Sequence, residues 1–200
     1  MAKNSKKRKA IINSAISEFK AKGFKDTSMD QIALTANVSK RTVYNHFASK
    51  DILFDAIIDE MLMLFNASIS IQYSATEALA NQLQDIAQQE LQLLADPAFV
   101  DLAKVIMAET IHSPARINQA LEEVEKRDGN LSAWIMAAQK DQKLIAVDVD
   151  FAAAQFFALL KVFCFWPQVI QGQAFPDTEQ QQQIIASAVS MFLKQYQLHH

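Results

Sequence analysis

The segment TSMDQIALTANVSKRTVYNHFASK, residues 27–50, carries the strongest structural signal in this chain. Ser28 with Gln31 three residues later has the pattern of a capping box and predicts the start of one short helix, and Ser39 predicts the start of a second. Between them stands Asn37, a residue type that tolerates the left-handed backbone conformation of a tight turn. The segment therefore predicts two short helices joined by a tight turn, which is the helix-turn-helix arrangement.

The residue types of this segment also predict what the two helices do. Apolar residues at Ile32, Val38 and Val43 fill the space between the helices, and the small Ala33 lets them cross closely. The outward positions of the second helix are rich in hydrogen-bond donors, namely Lys40, Arg41, Thr42, Tyr44, Asn45 and His46. Such a helix fits the major groove of DNA, which is about 12 Å wide. The alternative is an ordinary helical hairpin with a solvated basic face.

Positive charge is concentrated at the N-terminal end of the chain. Residues 1–50 contain eleven Lys/Arg and three Asp/Glu, a balance of +8, whereas residues 51–200 contain eight Lys/Arg and nineteen Asp/Glu, a balance of −11. A basic region attached to an acidic body indicates that the basic region alone meets a polyanion. Lys3 to Lys9 forms a basic arm, which we expect to be flexible at its tip.

Helix caps divide the rest of the chain into further helices, and no segment has a convincing strand alternation. Gly23 and Gly172 are expected to end helices, Pro167 and Gly129 to bend or split them, and Ser49 to begin a long helix at Lys50. Further helix starts are predicted at Thr76, Asp96, Ser113, Asp148 or Asp150, and Asp177. The predicted fold is all-α, with a three-helix N-terminal helix-turn-helix domain over residues 1–49 and a roughly six-helix regulatory and dimerisation bundle over residues 50–200.

The segments Thr27 to Ala33, Ala36 to Phe47 and Lys50 to Leu53 together resemble the TetR family of bacterial regulators, and the resemblance covers roughly residues 8–60. Two positions depart from the family pattern. Asn37 stands where the family usually has Gly, and Arg41 stands where many members have a small residue. The resemblance implies a DNA-binding transcription regulator, most simply a repressor that a small molecule releases from its operator.

The resemblance also implies roles for individual residues. Thr27 or Ser28 would meet a phosphate through its hydroxyl and backbone N–H, and Tyr44, His46 and Lys50 would contact phosphates. Lys40, Arg41, Thr42 and Asn45 would face base edges or phosphate, where Arg with guanine and Asn with adenine are the favoured pairs. Ser39, at the start of the recognition helix, completes the predicted DNA-binding set. Phe47 is expected to plug the space between this domain and the helix that begins at Lys50.

Binding to double-stranded operator DNA would require a second copy of the chain. One short recognition helix makes few contacts, so two-fold partners would read half-sites roughly 34 Å apart. The last two helices are expected to form the dimer surface, with Met191, Phe192 and Tyr196 as candidate apolar residues at helical spacing. A cytoplasmic homodimer without a membrane partner is therefore expected.

Large apolar side chains predict a site for a small apolar effector in the C-terminal bundle. The candidate lining residues are Phe99, Met107, Trp134, Phe163 and Trp166. The aromatic stretch Phe151 to Ile170 is interrupted by Lys161 and Pro167, so we predict a core helix rather than a membrane span. Cys164, the only cysteine, lies among aromatic residues and is expected to be a buried apolar thiol.

Two other classes of protein remain as alternatives. An enzyme is disfavoured, because the sequence has no paired catalytic acids, no Ser/His/Asp set, no phosphate-binding loop and no metal-ligand spacing. No cofactor or metal is predicted. A DNA-binding activator or architectural protein without a ligand is the closer alternative, and a cavity within the bundle would distinguish it from a sensor.

Overall fold

The computed structural model describes residues 2–68, 70–110 and 131–198. Within these ranges the regular secondary structure is helical, and the extended pairing they contain is a single antiparallel bridge between Leu144 and Gln197. The all-α prediction is confirmed. The predicted helix start at Ser113 and the predicted break at Gly129 lie outside the described residues.

The described residues form the following helices. They are α1 (Ala2–Lys22), α2 (Met29–Thr35), α3 (Lys40–His46), α4 (Lys50–Ser68), α5 (Leu79–Ala95), α6 (Pro97–Thr110), α7 (described over 131–140), α8 (Val149–Cys164), α9 (Trp166–Gln171) and α10 (Thr178–Tyr196). The described residues form two compact units. The N-terminal unit contains residues 2–63 and 101–110, and the C-terminal unit contains residues 64–100 and 131–198. α4 and α6 each contribute residues to both units.

The N-terminal unit is built on the buried face of α1. Ile11, Ile12 and Ala15 are almost fully buried, and Phe19 contacts Phe24 with ring centroids 5.2 Å apart. Gly23 ends the helix with φ +83° and donates its N–H to the carbonyl of Phe19, as predicted. One expectation was wrong: the basic segment 3–9 belongs to α1 rather than forming a separate arm, because its Lys and Arg residues favour helix.

The C-terminal unit packs α8 against α5, α9 and α10. Asp148 caps α8, and Asp177 with Gln180 forms a complete capping box at α10, both as predicted. Thr76 does not cap α5, which begins at Leu79 without a side-chain cap; the Thr76 hydroxyl instead bonds the hydroxyl of Ser74. Local caps therefore set most, but not all, of the helix starts.

The apolar segment at residues 149–171 is long and apolar enough to cross a membrane by length and composition alone. In the C-terminal unit it is divided at Phe165 into α8 and α9. The inner face of α8 is fully buried at Ala153, Phe156 and Leu160. One face of α8 therefore belongs to the core, while 33% of the most apolar window of the whole segment is buried in the single chain.

Candidate nucleic-acid interface

The turn between α2 and α3 is held by local hydrogen bonds. Ser28 Oγ accepts from the N–H of Gln31 at 3.1 Å, and Ser39 Oγ accepts from the N–H of Thr42 at 3.1 Å. Asn37 adopts φ +52°, the left-handed conformation expected of it. The N–H of Val38 then returns to the carbonyl of Ala33 at 3.0 Å. Two capped helices and one left-handed residue thus form the predicted helix-turn-helix.

The inner face of the motif is buried except at Val38, which was predicted to fill it and is half-buried. Ile32 and Val43 have no exposed surface, and Ala33 and Phe47 are 2% exposed. The guanidinium of Arg8 lies 5.3 Å from the ring centroid of Phe47, which places α1 beside the end of α3. Because the apolar side of α3 is held in this core, the residues on its opposite side are held facing solvent.

That opposite side is polar and exposed, and we call it the recognition face. It consists of Lys40, Arg41, Tyr44 and Asn45. Tyr44 keeps 51% of its surface exposed although it is aromatic. Thr42 and His46 lie at the borders of this face and are half-buried. Arg and Asn side chains present the donor and acceptor patterns that read base edges, while Lys and Tyr suit phosphate oxygens.

Two contacts organise the start of α3 before any DNA is present. Lys40 Nζ lies 2.5 Å from Asp30 Oδ2 on α2, and both side chains remain well exposed. The hydroxyls of Ser39 and Thr42 lie 2.8 Å apart. An exposed ion pair contributes little stability, so its effect here is mainly on where the Lys40 side chain points. Ser39 caps α3, and the Thr42 hydroxyl bonds the capping hydroxyl.

Glu18 connects α1 with α2 and was not among the residues predicted from the sequence. Its carboxylate accepts a hydrogen bond from Lys22 at 2.8 Å and another from the Thr35 hydroxyl at 2.6 Å. These two bonds, the Lys22 bond first, lower the pKa of Glu18 below its ordinary value. The i,i+4 spacing of Glu18 and Lys22 was a signal for half of this arrangement. Thr35 is 17 residues away along the chain, so no local sequence pattern predicts its hydrogen bond to Glu18.

Thr27 does not reach the surface, which corrects its predicted phosphate contact. It is 2% exposed, and its hydroxyl donates to the carbonyls of Gly23 at 2.8 Å and Glu18 at 3.3 Å. The hydroxyl is therefore committed to the end of α1. Ser28 is exposed, so of the two alternatives for this position Ser28 is the residue that stays available.

Lys50 lies at the first turn of α4, and its ammonium points at the protein rather than away from it. Nζ donates to the backbone carbonyls of Phe24 at 2.5 Å, Lys25 at 3.1 Å and Thr27 at 2.8 Å. It also lies 4.5 Å from the ring centroid of Phe24. These partners are 23 to 26 residues distant in the chain. The family resemblance implied a role for Lys50 at a phosphate, and the sequence contained no signal for this arrangement.

The five residues predicted to line an effector site differ in burial and belong to different units. Phe99 and Trp134 are buried in the C-terminal unit, at 5% and 2% exposure. Met107 belongs to the N-terminal unit. Phe163 and Trp166 are exposed, at 56% and 41%, because the helical turn that buries Cys164 directs Phe163 to the other side of α8. The sequence could show that these side chains are large and apolar, but not which way each one faces.

Cys164 has the environment that its aromatic neighbours predicted. The residue is fully buried, and its thiol forms no disulfide. Burial, with a smaller effect of Glu90, raises its pKa to about 11. The thiol is therefore almost entirely protonated at neutral pH and is a poor nucleophile.

Comparison with protein families agrees with this geometry. Residues 11–57 match the family of bacterial regulatory proteins named tetR, and residues 81–198 match the C-terminal domain of AefR-like transcriptional repressors. The second match alone covers more than half of the 200 residues. The chain belongs to the TetR family of DNA-binding transcription regulators.

Individual relatives support the assignment to different extents. The chain is 41% identical over 56 residues to the uncharacterized HTH-type transcriptional regulator YhgD of Bacillus subtilis, a match that spans only 29% of that protein. A crystal structure of a TetR family transcriptional regulator from Pseudomonas syringae is 42% identical, with a TM-score of 0.84 over 96% of this chain and 97% of that one. The flavonoid-responsive regulator FrrA is 27% identical, with a TM-score of 0.76 over 98% of this chain and 100% of that one.

Proposed function

We propose that this chain is a homodimeric repressor, which binds operator DNA through α3 and releases it when a small apolar effector binds to the C-terminal unit. The observation that carries the proposal is the recognition face, a set of exposed donors on a helix whose other side is completely buried. In this proposal Arg41 and Asn45 read bases, whereas Ser28, Lys40, Tyr44 and His46 contact phosphate. The division between a DNA-binding domain and a sensing domain near residue 49 belongs to the same proposal.

The second copy is expected to cover the side of α8 and α10 that faces solvent in the single chain, which we call the outer face. Its apolar members are Phe151, Leu159, Phe163, Ile184 and Met191, and they line two open grooves of about 590 and 520 Å³. Phe151, Phe163 and Met191 are more than half exposed. Monomeric proteins rarely leave such large apolar side chains grouped on one surface. A two-fold partner would bury the same residues from both chains.

This assignment of the dimer surface differs in part from the one made on sequence spacing. Met191 is 54% exposed and belongs to the outer face. Phe192 and Tyr196 are buried at 3% and 5%, and Phe192 packs on Phe156 of α8 with ring centroids 5.4 Å apart. These two residues hold α10 to α8 within one chain, so they are corrected to core residues.

The effector proposal draws on the interior of the C-terminal unit. Phe99 and Trp134 supply apolar surface there, and the buried Glu90 supplies a charged side chain near it. The amide of Gln82 is fully committed to Ser74, Glu77 and Trp134 and holds this interior together. Gln82 Oε1 accepts from the indole N–H of Trp134 at 2.9 Å. The related FrrA is named as a flavonoid-responsive regulator, and this supports a small aromatic effector.

Transmission from effector to DNA would use α4, because its residues up to Met63 belong to the N-terminal unit and the following ones to the C-terminal unit. An effector acts only if it binds more tightly to the conformation that does not bind DNA. A tenfold release of operator requires a coupling of about 1.4 kcal/mol, and operator must weaken effector binding by the same factor.

The test begins with selection of bound duplexes from a random DNA pool by the full chain. The selected operator is then titrated with the chain in the presence of a flavonoid panel. Calorimetry of an active flavonoid, with and without saturating operator, must give affinities that differ by the factor seen in the DNA titration. Equal affinities would remove that compound as an effector. A selection that enriches no sequence would contradict the operator-binding proposal itself.

A further inference from the structure

We propose that the N-terminal unit contains a binding site for a small organic cation, namely a primary ammonium group carried on a compact apolar body. The site is a cavity of about 210 Å³ between the end of α1 and the last described turn of α6, and Glu109 is the anionic group that holds the ammonium. Every residue that lines the cavity belongs to the N-terminal unit. The site is separate from the proposed function, because it needs neither operator DNA nor the effector of the C-terminal unit.

One side of α6 forms the first wall of the cavity. Val105, Ala108 and Glu109 line it, and their spacing of three and four residues places them on the same side of the helix. The preceding turn of α6 contacts α1 through an ion pair, in which Lys20 Nζ lies 2.5 Å from Asp101 Oδ1. α6 and the end of α1 therefore lie side by side around the cavity.

Glu109 is the unusual residue of this wall. It is only 5% exposed, although burial of a carboxylate is costly unless another group pairs with it. Within residues 2–68, 70–110 and 131–198, no group forms a hydrogen bond or an ion pair with the Glu109 carboxylate. A carboxylate that is buried, unpaired and beside a cavity is suited to a cation that enters the cavity, since the cation would supply the missing partner.

The opposite wall consists of the last turn of α1 and the turn that follows it. Lys22 lines this wall, but its ammonium is already held by the Glu18 carboxylate at 2.8 Å. Lys25 and Asp26 add one exposed charge of each sign, so these two charges balance each other. The charge of Glu109 is left unbalanced, and the C-terminal end of α1 adds a partial negative charge of its own. The charges around the cavity therefore favour a cation.

Apolar side chains complete the lining and set the size of the ligand. Phe19 and Phe24, with ring centroids 5.2 Å apart, lie on the α1 side, and Val105 and Ala108 lie on the α6 side. The Lys50 ammonium lies over the Phe24 ring but does not line the cavity. The volume is below the range of about 300–1,000 Å³ that is usual for drug-sized ligands. The cavity therefore suits a small ligand with one ammonium group and a compact apolar body.

The experiment uses three probes of similar shape and different charge. They are phenethylamine, a cation at neutral pH, phenethyl alcohol, which is neutral, and phenylpropionate, an anion. Each probe is titrated into the full chain without DNA, and binding is followed by the backbone amide NMR signals of residues 22–26 and 105–109. The amine should shift these signals saturably, with an affinity about tenfold or more above that of the alcohol, as expected for a charge-assisted hydrogen bond. Phenylpropionate should bind no better than the alcohol.

Three variants test whether the amine binds at Glu109. Glu109→Gln keeps the size of the side chain and removes its charge, so it should lower the affinity for phenethylamine by about tenfold and leave that for phenethyl alcohol unchanged. Asp59→Asn is the matched control, because it removes an exposed carboxylate of α4 that does not line the cavity, and it should change neither affinity. Ala108→Met adds bulk at an exposed lining position and should weaken the binding of both probes.

Several results would overturn the proposal. Equal affinities for the amine and the alcohol in the parent chain, or no saturable binding of the amine, would do so without any variant. Amine binding that survives Glu109→Gln, or shifts confined to the C-terminal unit, would place the amine at another site and would overturn it as well. Failure of the parent chain to bind any duplex would count against the proposed function instead, since the titrations contain no DNA.

Discussion

The recognition face of α3 and the outer face of α8 and α10 are both exposed in the single chain, but their chemistry is opposite. The first presents Lys40, Arg41, Tyr44 and Asn45, whereas the second presents residues such as Phe151, Phe163 and Met191. Charged and polar groups favour a polyanion, and that interaction weakens in salt because counterions compete. Apolar groups favour another apolar surface, and that interaction does not depend on counterions.

The comparison shows why exposure alone does not reveal a function. In both regions a fully buried inner face fixes the helix, with Val43 on α3 and Cys164 on α8. What differs is the kind of side chain left on the other side. In the proposed function the recognition face binds DNA and the outer face binds a second copy, and the following predictions test that distinction.

The largest expected effect is a difference in salt response. Raising NaCl from 50 to 200 mM should weaken operator binding by about 10³-fold or more, as for proteins that neutralise six or more phosphates. The dimer should keep its dissociation constant within a few-fold over the same range. Fluorescence anisotropy with labelled operator and sedimentation of the free protein give the two values. A salt-insensitive operator complex would contradict phosphate contact by the basic N-terminal region.

The next effect is loss of the dimer in Phe163→Asp. Burial of one Phe side chain contributes about 1.5–3 kcal/mol, and two-fold symmetry removes two such residues, so about 3–6 kcal/mol is lost. The dimer dissociation constant should rise by about 10²- to 10⁴-fold in sedimentation equilibrium. Met136→Asp is the matched control, since Met136 is 59% exposed on α7 and does not line either groove. Equal dimer dissociation constants for the two variants would show that Phe163 is not part of the dimer interface.

The reactivity of the Cys164 thiol distinguishes dissociation of the Phe163→Asp dimer from unfolding of the chain. Its burial and its pKa of about 11 keep the thiol unreactive toward a disulfide reagent at pH 8 in the folded chain. The neighbouring Phe163 points outward, so the substitution should leave this protection intact. Rapid labelling of Cys164 in Phe163→Asp without denaturant would mean that the core was disrupted, and the loss of dimer would then say nothing about an interface.

A smaller, sequence-dependent effect is expected for Arg41→Ala. If Arg41 pairs with guanine, its removal should cost about 1–3 kcal/mol, which is roughly 5- to 150-fold in affinity for the selected operator. Preference at one base position should relax when selection is repeated with the variant, while the dimer dissociation constant stays the same. An unchanged selected motif would show that Arg41 does not read a base.

The smallest effect is expected for Tyr44→Phe, which removes only the hydroxyl from the recognition face. Loss of one hydrogen bond should reduce affinity by about 0.5–1.5 kcal/mol. Because phosphates carry no sequence information, the selected operator and an unrelated duplex should lose affinity by similar factors. A loss confined to the selected operator would reassign Tyr44 from positioning to base reading.

Features of the chain that depend on neighbouring residues could be predicted from the sequence. The caps at Ser28, Ser39 and Asp177 and the left-handed turns at Gly23 and Asn37 involve groups within a few residues, so residue type and spacing were sufficient. The same holds for the buried Ile32 and Val43, since helical periodicity assigns one face to the core. The helix-turn-helix motif and its resemblance to the TetR family could therefore be recognised from the sequence alone.

Features that depend on distant partners were determined only by the tertiary structure. The Lys50 ammonium contacts three carbonyls that lie 23 to 26 residues away, because folding brought the turn after α1 beside the first turn of α4. Phe163 was expected inside the bundle and lies at the surface, whereas Phe192 was expected at the surface and lies in the core. The packing of α10 on α8 determines which faces of the two helices are buried. Spacing along one helix states which residues share a face, but only the neighbouring helix decides whether that face is buried.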